Sequence, residues 1–398
     1  MSSSPNAMNG EVVVQVFGRT DVGRTREHNE DAFVVADLSH DNATLQPEVR
    51  THLAGPKGSL FMVADGMGGA AAGEIASAMA VDVVLGELRA TWVNSAESSS
   101  DAFVRAIKQA TKAANQRINS YALAHPEYRG MGTTATIAGL FGDTLYLAQV
   151  GDSRAYLVRS GVTQQITKDQ SLMQKLIEAG ELTEEEAEHS ERRNIILQAL
   201  GPDPTIKVDL THQAIRRGDT LVLCSDGLSG QVTKDDITTA VNEEEDLTAA
   251  CKRLIDLANA NGGPDNITVI IARFEGPGLK PIGSQDQVGH QVFPLPETGQ
   301  TAAVTVDRET PTEPIPLAAR PRTTQPIQAP DPYPDPDPIT MAVTDEIPAT
   351  PIVSPERRSA GRLIAFGLLA LMVVAAAWFI TRRVGSAPDT TSATAPKP

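Results

Sequence analysis

The chain has 398 residues, enough for two or three domains, and its formal net charge of −16 argues against general nucleic-acid binding, which needs basic surface to neutralise phosphates. Its two cysteines, Cys224 and Cys251, form no disulfide framework. A single bridge stays open, but a reducing, cytosolic domain is the better expectation, and Met1–Gly10 lacks the pattern of a secretory signal.

In chain order, Val12–Phe17 and Phe33–Ala36 read as strands, with Asn29-Glu30-Asp31 in the turn between them. Residues 37–59 read as loop, and the apolar run Leu60–Ala64 is a buried strand that delivers Asp65. Residues 71–92 read as a helix with Ile75, Met79, Val83 and Leu88 on its inner stripe. A second helix follows Ser99 or Ser100 as N-cap, its stripe being Phe103, Ile107, Ala110, Ala114, Ile118 and Tyr121. Residues 134–140, 144–150 and 155–158 read as an antiparallel meander, with turns at Gly142-Asp143 and, towards Val162–Ile166, at Ser160-Gly161. A short helix over 171–179 stops at Gly180, and Thr183 with Glu186 caps another. Strands are expected at 206–210, 220–224 and 267–273, and helices at 234–241 and 247–259. Strand blocks alternating with helix pairs indicate an α+β layered sandwich rather than a βαβ rhythm.

The globular part is expected to span 9–275. Residues 276–356 are rich in proline, threonine and acidic side chains and read as a disordered linker, a spacer rather than a polyproline ligand. Residues 363–381 carry no charge and, at about 1.5 Å per residue, reach nearly 30 Å, so they read as a transmembrane helix before a polar tail at 382–398. The flanking arginines give only a slight positive-inside bias. The simplest topology leaves the large domain in the cytoplasm, as a single-pass protein of the inner membrane.

Short acidic motifs sit beside the apolar runs: Asn29-Glu30-Asp31, Asp65-Gly66-Met67-Gly68-Gly69, Gly151-Asp152-Ser153-Arg154, Asp226-Gly227-Leu228 and Gly263-Pro264-Asp265-Asn266. Carboxylates at strand ends can converge although they are far apart in sequence, and oxygen-rich clusters suit Mg²⁺ and Mn²⁺. One Asp-Gly pair is a common turn and means little alone. All the motifs in this order, with Arg26 just before the first and Gly132-Thr133-Thr134 between the second and third, resemble the metal-dependent protein phosphatases of type 2C (the PPM family), across Val12–Phe274.

That resemblance implies two packed antiparallel β-sheets flanked on both sides by helix pairs. It implies a protein serine/threonine phosphatase that uses two or three Mn²⁺ or Mg²⁺ ions and a metal-activated hydroxide, without a covalent phosphoenzyme. Asp65 would bridge two cations with the Gly66 carbonyl beside it. Asp226 and Asp265 would hold the metals from the other side, and Glu30 and Asp31 would act through coordinated water. Asp152 with Asp226 would form a third metal site, and Arg26 would clamp the substrate phosphate. Gly132-Thr133-Thr134 is expected to be structural, and the histidines are given no role. Met67 stands where some members carry a His as candidate general acid, so the proton donor stays open. The stretch around Glu181–Asn194 matches a flap that shapes substrate choice. Substrates would be phosphorylated proteins, including serine/threonine kinases, at a bacterial membrane reached through the C-terminal helix. The alternatives are a hydrolase of small phosphate esters and an inactive phosphatase-fold adaptor that binds phosphoproteins.

Overall fold

A computed structural model describes residues 11–40, 51–68, 72–188, 190 and 192–295. The chain divides into two compact units, Met1–Asp307 and Arg308–Pro398, and every described residue belongs to the first. In chain order the elements are β1 (Val13–Asp21), β2 (Asp31–Asp37), β3 (Thr51–Leu53), β4 (Ser59–Met67), α1 (Ala72–Leu88), α2 (Ser100–Ala124), β5 (Gly132–Thr133), β6 (Ala135–Phe141), β7 (Thr144–Val150), β8 (Arg154–Arg159) and β9 (Val162–Gln165). They continue with α3 (Leu172–Glu178), α4 (Glu184–Glu188), β10 (Asp209–Ala214), β11 (Thr220–Cys224), α5 (Asp226–Ser229), α6 (Lys234–Glu243), α7 (Leu247–Ala260) and β12 (Ile267–Glu275).

The strands form two six-stranded assemblies, one ordered β3-β1-β12-β11-β8-β9, the other β10-β7-β6-β4-β2 with β5 beside β4. Every pairing is antiparallel. Side chains alternate between faces along a strand, and here both faces are buried. In β4, Phe61 and Val63 enter the core between the sheets, while Leu60, Met62 and Ala64 pack under α1 and α2. In β11, Leu221 and Leu223 face the opposite sheet, and Val222 and Cys224 face α6 and α7. Burial on both faces is why these strands read as unbroken apolar runs. The expected sandwich with a helix pair on each side is therefore present.

Several expectations need correction, among them the loop reading of 37–59, which holds the short strand β3. Residues 155–158 do not complete a meander: β8 pairs with β11 and β9, because the chain crosses from one sheet to the other at Gly151-Asp152-Ser153. The strand placed at 206–210 begins only at Asp209; Val208 is buried against the helix layer. Along α1 the fully buried face is Ala76, Ala80, Val84 and Leu88, with Ile75 and Met79 only partly covered. That helix is apolar nearly all round, so periodicity could not choose the face; its small residues let it approach sheet and α2 closely. Finally, the boundary at 275 falls too early. Leu279 is buried in the inter-sheet core, Val292 bridges to Thr211, and the Phe293 ring meets Tyr146 at 5.4 Å.

Other local signals appear as expected. Ser99 caps α2 by accepting from the Ala102 N–H, and Ser160 and Gly161 take positive φ values of 52° and 75° in the β8–β9 turn. Among the described residues no helix is long and apolar enough to cross a membrane, and Leu363–Thr381 lies outside them.

Candidate metal centre

The topology brings the acidic motifs to one pole. Asp31 opens β2 and stands opposite Asp65 near the end of β4. The end of β7 lies beside the start of β6, which puts the crossing at Asp152 on the same side. The end of β11 pairs with the start of β12, so Asp226, one residue past Ser225, faces Asp265. Asp65 consequently sits within electrostatic reach of Asp31, Asp226, Asp152 and Asp265.

Neutral side chains fix this arrangement. The Asp65 N–H donates to Thr134 Oγ1 at 2.9 Å, and its carbonyl accepts from Thr133 Oγ1 at 2.9 Å, so Gly132-Thr133-Thr134 serves the backbone of the site, as its structural reading implied. Asp31 Oδ2 accepts from Ser225 Oγ at 2.8 Å and Thr268 Oγ1 at 2.6 Å, joining β2 to both β11 and β12. The Glu30 N–H donates to Asn266 Oδ1 at 2.8 Å, and its carbonyl accepts from Gly66 N at 3.1 Å. Only glycine fits at 66, where a Cβ would lie 2.4 Å from the Glu30 carbonyl oxygen. Around Asp152, Gly151 N donates to Gln170 Oε1 at 3.0 Å, and Gln149 Nε2 donates to the Ser153 carbonyl at 2.7 Å. Arg154 is held by Asp169 through bonds of 2.9 and 2.7 Å.

The carboxylates crowd one another. Burial, and then the Asp226 charge, pushes Asp31 and Asp152 up to about 7. Asp65 is raised well above the ordinary range by burial and then by Asp31, while Asp226 is raised by burial and then by Asp265. Glu30 is raised chiefly by burial, with Arg26 opposing. Asp31 Oδ1 and Asp152 Oδ1 are buried without a hydrogen-bond partner, a costly arrangement for acceptor-only groups. Divalent cations would relieve both the repulsion and the orphaned oxygens, so this donor set fits hard metals. Among the described residues no three acidic, His or Cys side chains converge on one point as a closed cage, so backbone carbonyls and water would have to complete each sphere.

Arg26, expected to clamp phosphate, lies at the mouth of this cluster. Its Nη2 donates to Asp265 Oδ2 at 2.7 Å, and its side chain is 47% exposed. Glu74, on the first turn of α1, also faces Glu30 and was not singled out from sequence. Thr268 was not singled out either, and Ser225 and Asn266 stood in their motifs without a side-chain role; a polar residue interrupting an apolar strand run is the one signal Thr268 leaves. The flap stretch, Glu181–Asn194, holds α4, and with α3 before it borders a cavity of about 400 Å³ lined by Met173, Leu176, Glu181, Leu182, Ser190 and Arg192. Gln170, just before α3, reaches the centre, its N–H donating to the Gly151 carbonyl at 2.9 Å.

Comparison with known proteins agrees with this geometry. Residues 39–269 match the family described as Protein phosphatase 2C. The serine/threonine phosphatase stp of Listeria monocytogenes is 36% identical over 253 residues, covering 64% of this chain and 93% of that protein. The serine/threonine protein phosphatase PstP of Mycobacterium tuberculosis is 35% identical over 66% of this chain and 45% of its own length. The crystal structure of that phosphatase superposes with a TM-score of 0.56 at 35% identity, over 66% of this chain and 99% of the crystallised one. A second structure of the PstP catalytic domain, in complex with two manganese ions, gives a TM-score of 0.54 at 34% identity, over 66% of this chain and 99% of that one. With a family match over more than half of its length and a relative 36% identical across nearly all of that protein, the chain belongs to the protein phosphatase 2C family.

Proposed function

We propose that this chain is a protein serine/threonine phosphatase that hydrolyses phosphoserine and phosphothreonine at a centre holding Mn²⁺ or Mg²⁺. The observation that carries the reading is the convergence of Glu30, Asp31, Asp65, Asp152, Asp226 and Asp265 on one pole, with two buried carboxylate oxygens unpartnered. Asp65, Asp226, Asp265 and the Gly66 carbonyl would hold the cations, Glu30 and Asp31 would support them, and Asp152 with Asp226 would take a further ion. Bound cations supply activated water and offset the charge of the phosphate. Arg26 stands ready to receive the phosphate oxygens, because a guanidinium can donate two parallel hydrogen bonds. The hydroxyls of Ser225 and Thr268 hold Asp31 in place while its other oxygen stays open to the site. Thr133 and Thr134 hold the Asp65 backbone against the strain of crowding. Met67 offers no proton, so protonation of the departing Ser or Thr oxygen falls to another group.

The experiment is hydrolysis of a phosphothreonine peptide by the 398-residue chain, with Mn²⁺ and with chelator. Turnover that requires the metal and falls at least about a hundredfold in Asp226→Ala supports the reading. Turnover that persists in chelator, or in that variant, would falsify it.

The uncharged stretch Leu363–Thr381 supports a further part of the proposal, a single membrane span that holds the catalytic domain at the cytoplasmic face of the inner membrane. Phosphorylated proteins at that surface, serine/threonine kinases included, would then be its substrates. Fractionation checks it: the whole chain should sediment with membranes and resist carbonate, and deletion of 363–381 should release it.

A further inference from the structure

Resting on the phosphatase reading, we infer that Asn266 is the positioning residue of the phosphate clamp, its side chain setting the loop that carries Arg26. Asn266 is 3% exposed and directly follows Asp265. Its Nδ2 donates to the carbonyls of Val22 and His28, each at 2.9 Å, and its Oδ1 accepts from the Glu30 N–H at 2.8 Å. These partners lie 236 to 244 residues away in the chain and are the two ends of one loop. Residues 22–30 lie outside the strand ladders, and Val22 and Arg24–His28 are exposed. Such a loop has no strand partner, and besides the close approach of Gly23 to the Asp265 carbonyl it is held chiefly by hydrogen bonds.

The chemistry of the anchor is specific. Two carbonyls at the loop ends require two donors, and the Glu30 amide requires an acceptor. A primary amide supplies all three from one short side chain. Aspartate has the same shape but would set a carboxylate against two carbonyl oxygens, and serine has only one donor. Arg26 lies between the tethered ends, and its head rests on Asp265 at 2.7 Å. Consecutive residues thus hold the loop at both levels, the Asn266 side chain gripping the loop backbone and the Asp265 carboxylate the Arg26 guanidinium. Arg24 N adds one more tie, to the Gly263 carbonyl at 2.8 Å. A loop fixed in this way presents the guanidinium preformed, which avoids the ordering cost of a mobile arginine.

The test uses the whole chain, a phosphothreonine peptide, and inorganic phosphate as competitive inhibitor. Asn266→Ala should raise KM and weaken phosphate inhibition by about tenfold or more, approaching Arg26→Ala, while kcat changes less. The double variant should bind phosphate no more weakly than Arg26→Ala alone, because one residue acts through the other. Hydrogen exchange at residues 22–28 should quicken in Asn266→Ala and not in Arg26→Ala. Asn266→Asp, which keeps the shape and the bond to Glu30, should show the same loss of phosphate affinity if Asn266→Ala does not fold. Unchanged phosphate inhibition, losses that add in full, or failure of both variants to fold overturns the inference and leaves Asn266 a purely structural residue. A parent chain without metal-dependent turnover refutes the phosphatase reading instead.

Discussion

Burial and the neighbouring Asp226 charge push the carboxyls of Asp31 and Asp152 up to about 7, from an ordinary value of 3.8. Between about pH 4 and 7 the unfolded chain has shed these protons while the folded chain keeps them. The unfolded state therefore binds fewer protons, and the stability these groups contribute is lost as pH rises towards 7. Cations compete for the same oxygens, so Mn²⁺ affinity should run the other way and fall at least about tenfold between pH 7.5 and 5.5. Calorimetry across that range checks the affinity, and thermal melts in chelator check the stability; an affinity indifferent to pH would contradict the assignment. Gly227 gives a second residue-scale prediction. A Cβ there would stand 2.0 Å from the Asn266 backbone oxygen, so Gly227→Ala should cost at least about 1–3 kcal/mol in urea unfolding. Acidic residues beside apolar runs stood out in the sequence because strand ends can gather them, and the fold brings Asp31, Asp152, Asp226 and Asp265 within electrostatic reach of Asp65. Asn266, Ser225 and Thr268 did not, since their hydrogen bonds reach 194 to 244 residues along the chain and only the fold brings the partners together.

At the scale of elements, strands buried on both faces were legible, β11 to the residue, and so were helices with marked caps such as α2 and α6. Which strand pairs with which was not. β7 and β8 are joined by three residues, a length that normally signals a hairpin, yet Gly151 turns the chain into the other sheet at a φ of 102°. That crossing is what places Asp152 between the sheets and beside Asp226. β3 was missed because three residues with two exposed give no alternation to read. For α1 the difficulty was an excess of apolar positions, and its true face can be checked by substitution. Ala80 is fully buried between sheet and α2, so Ala80→Leu should destabilise by about 1–3 kcal/mol through overpacking. Met79 is only partly covered, and Met79→Ala should cost about half as much as the 2–5 kcal/mol of a fully buried site. Urea unfolding of the two variants decides between the faces; a loss at the top of the about 2–5 kcal/mol range in Met79→Ala, with Ala80→Leu unaffected, would mean that the larger side chains form the core stripe.

At the scale of the described domain, chemistry occupies one pole, and a strap starts at the other and runs back along an edge strand. The buried Arg159–Asp219 pair, with bonds of 2.9 and 2.5 Å, lies at the far end of β8 and β11 from Asp226. Arg216, beside it, grips Asp286 through bonds of 2.8 and 2.7 Å, and this pairing holds the Asp286 carboxyl below the ordinary range. From there the chain returns along β10, where His212 N donates to the Gln291 carbonyl at 2.9 Å and Phe293 N to the Leu210 carbonyl at 2.9 Å. Residues 291–293 thus cover an edge strand that would otherwise present open hydrogen-bonding groups. Proline-rich composition hid this, since the strap is held by isolated side chains and backbone bonds, without a periodic apolar pattern. Its weight can be measured by cutting the chain on either side of it. Truncation after Glu275 removes Leu279 from the inter-sheet core, worth about 1.5–3 kcal/mol, and exposes the edge of β10. Truncation after Leu295 keeps both. The shorter form should therefore unfold at lower urea and associate at concentrations where the longer form stays monomeric. Both should retain Mn²⁺ binding where folded, because the acidic motifs all lie before residue 275, on elements that both forms keep. Equal stability of the two forms would show that the strap merely lies on the domain without holding it.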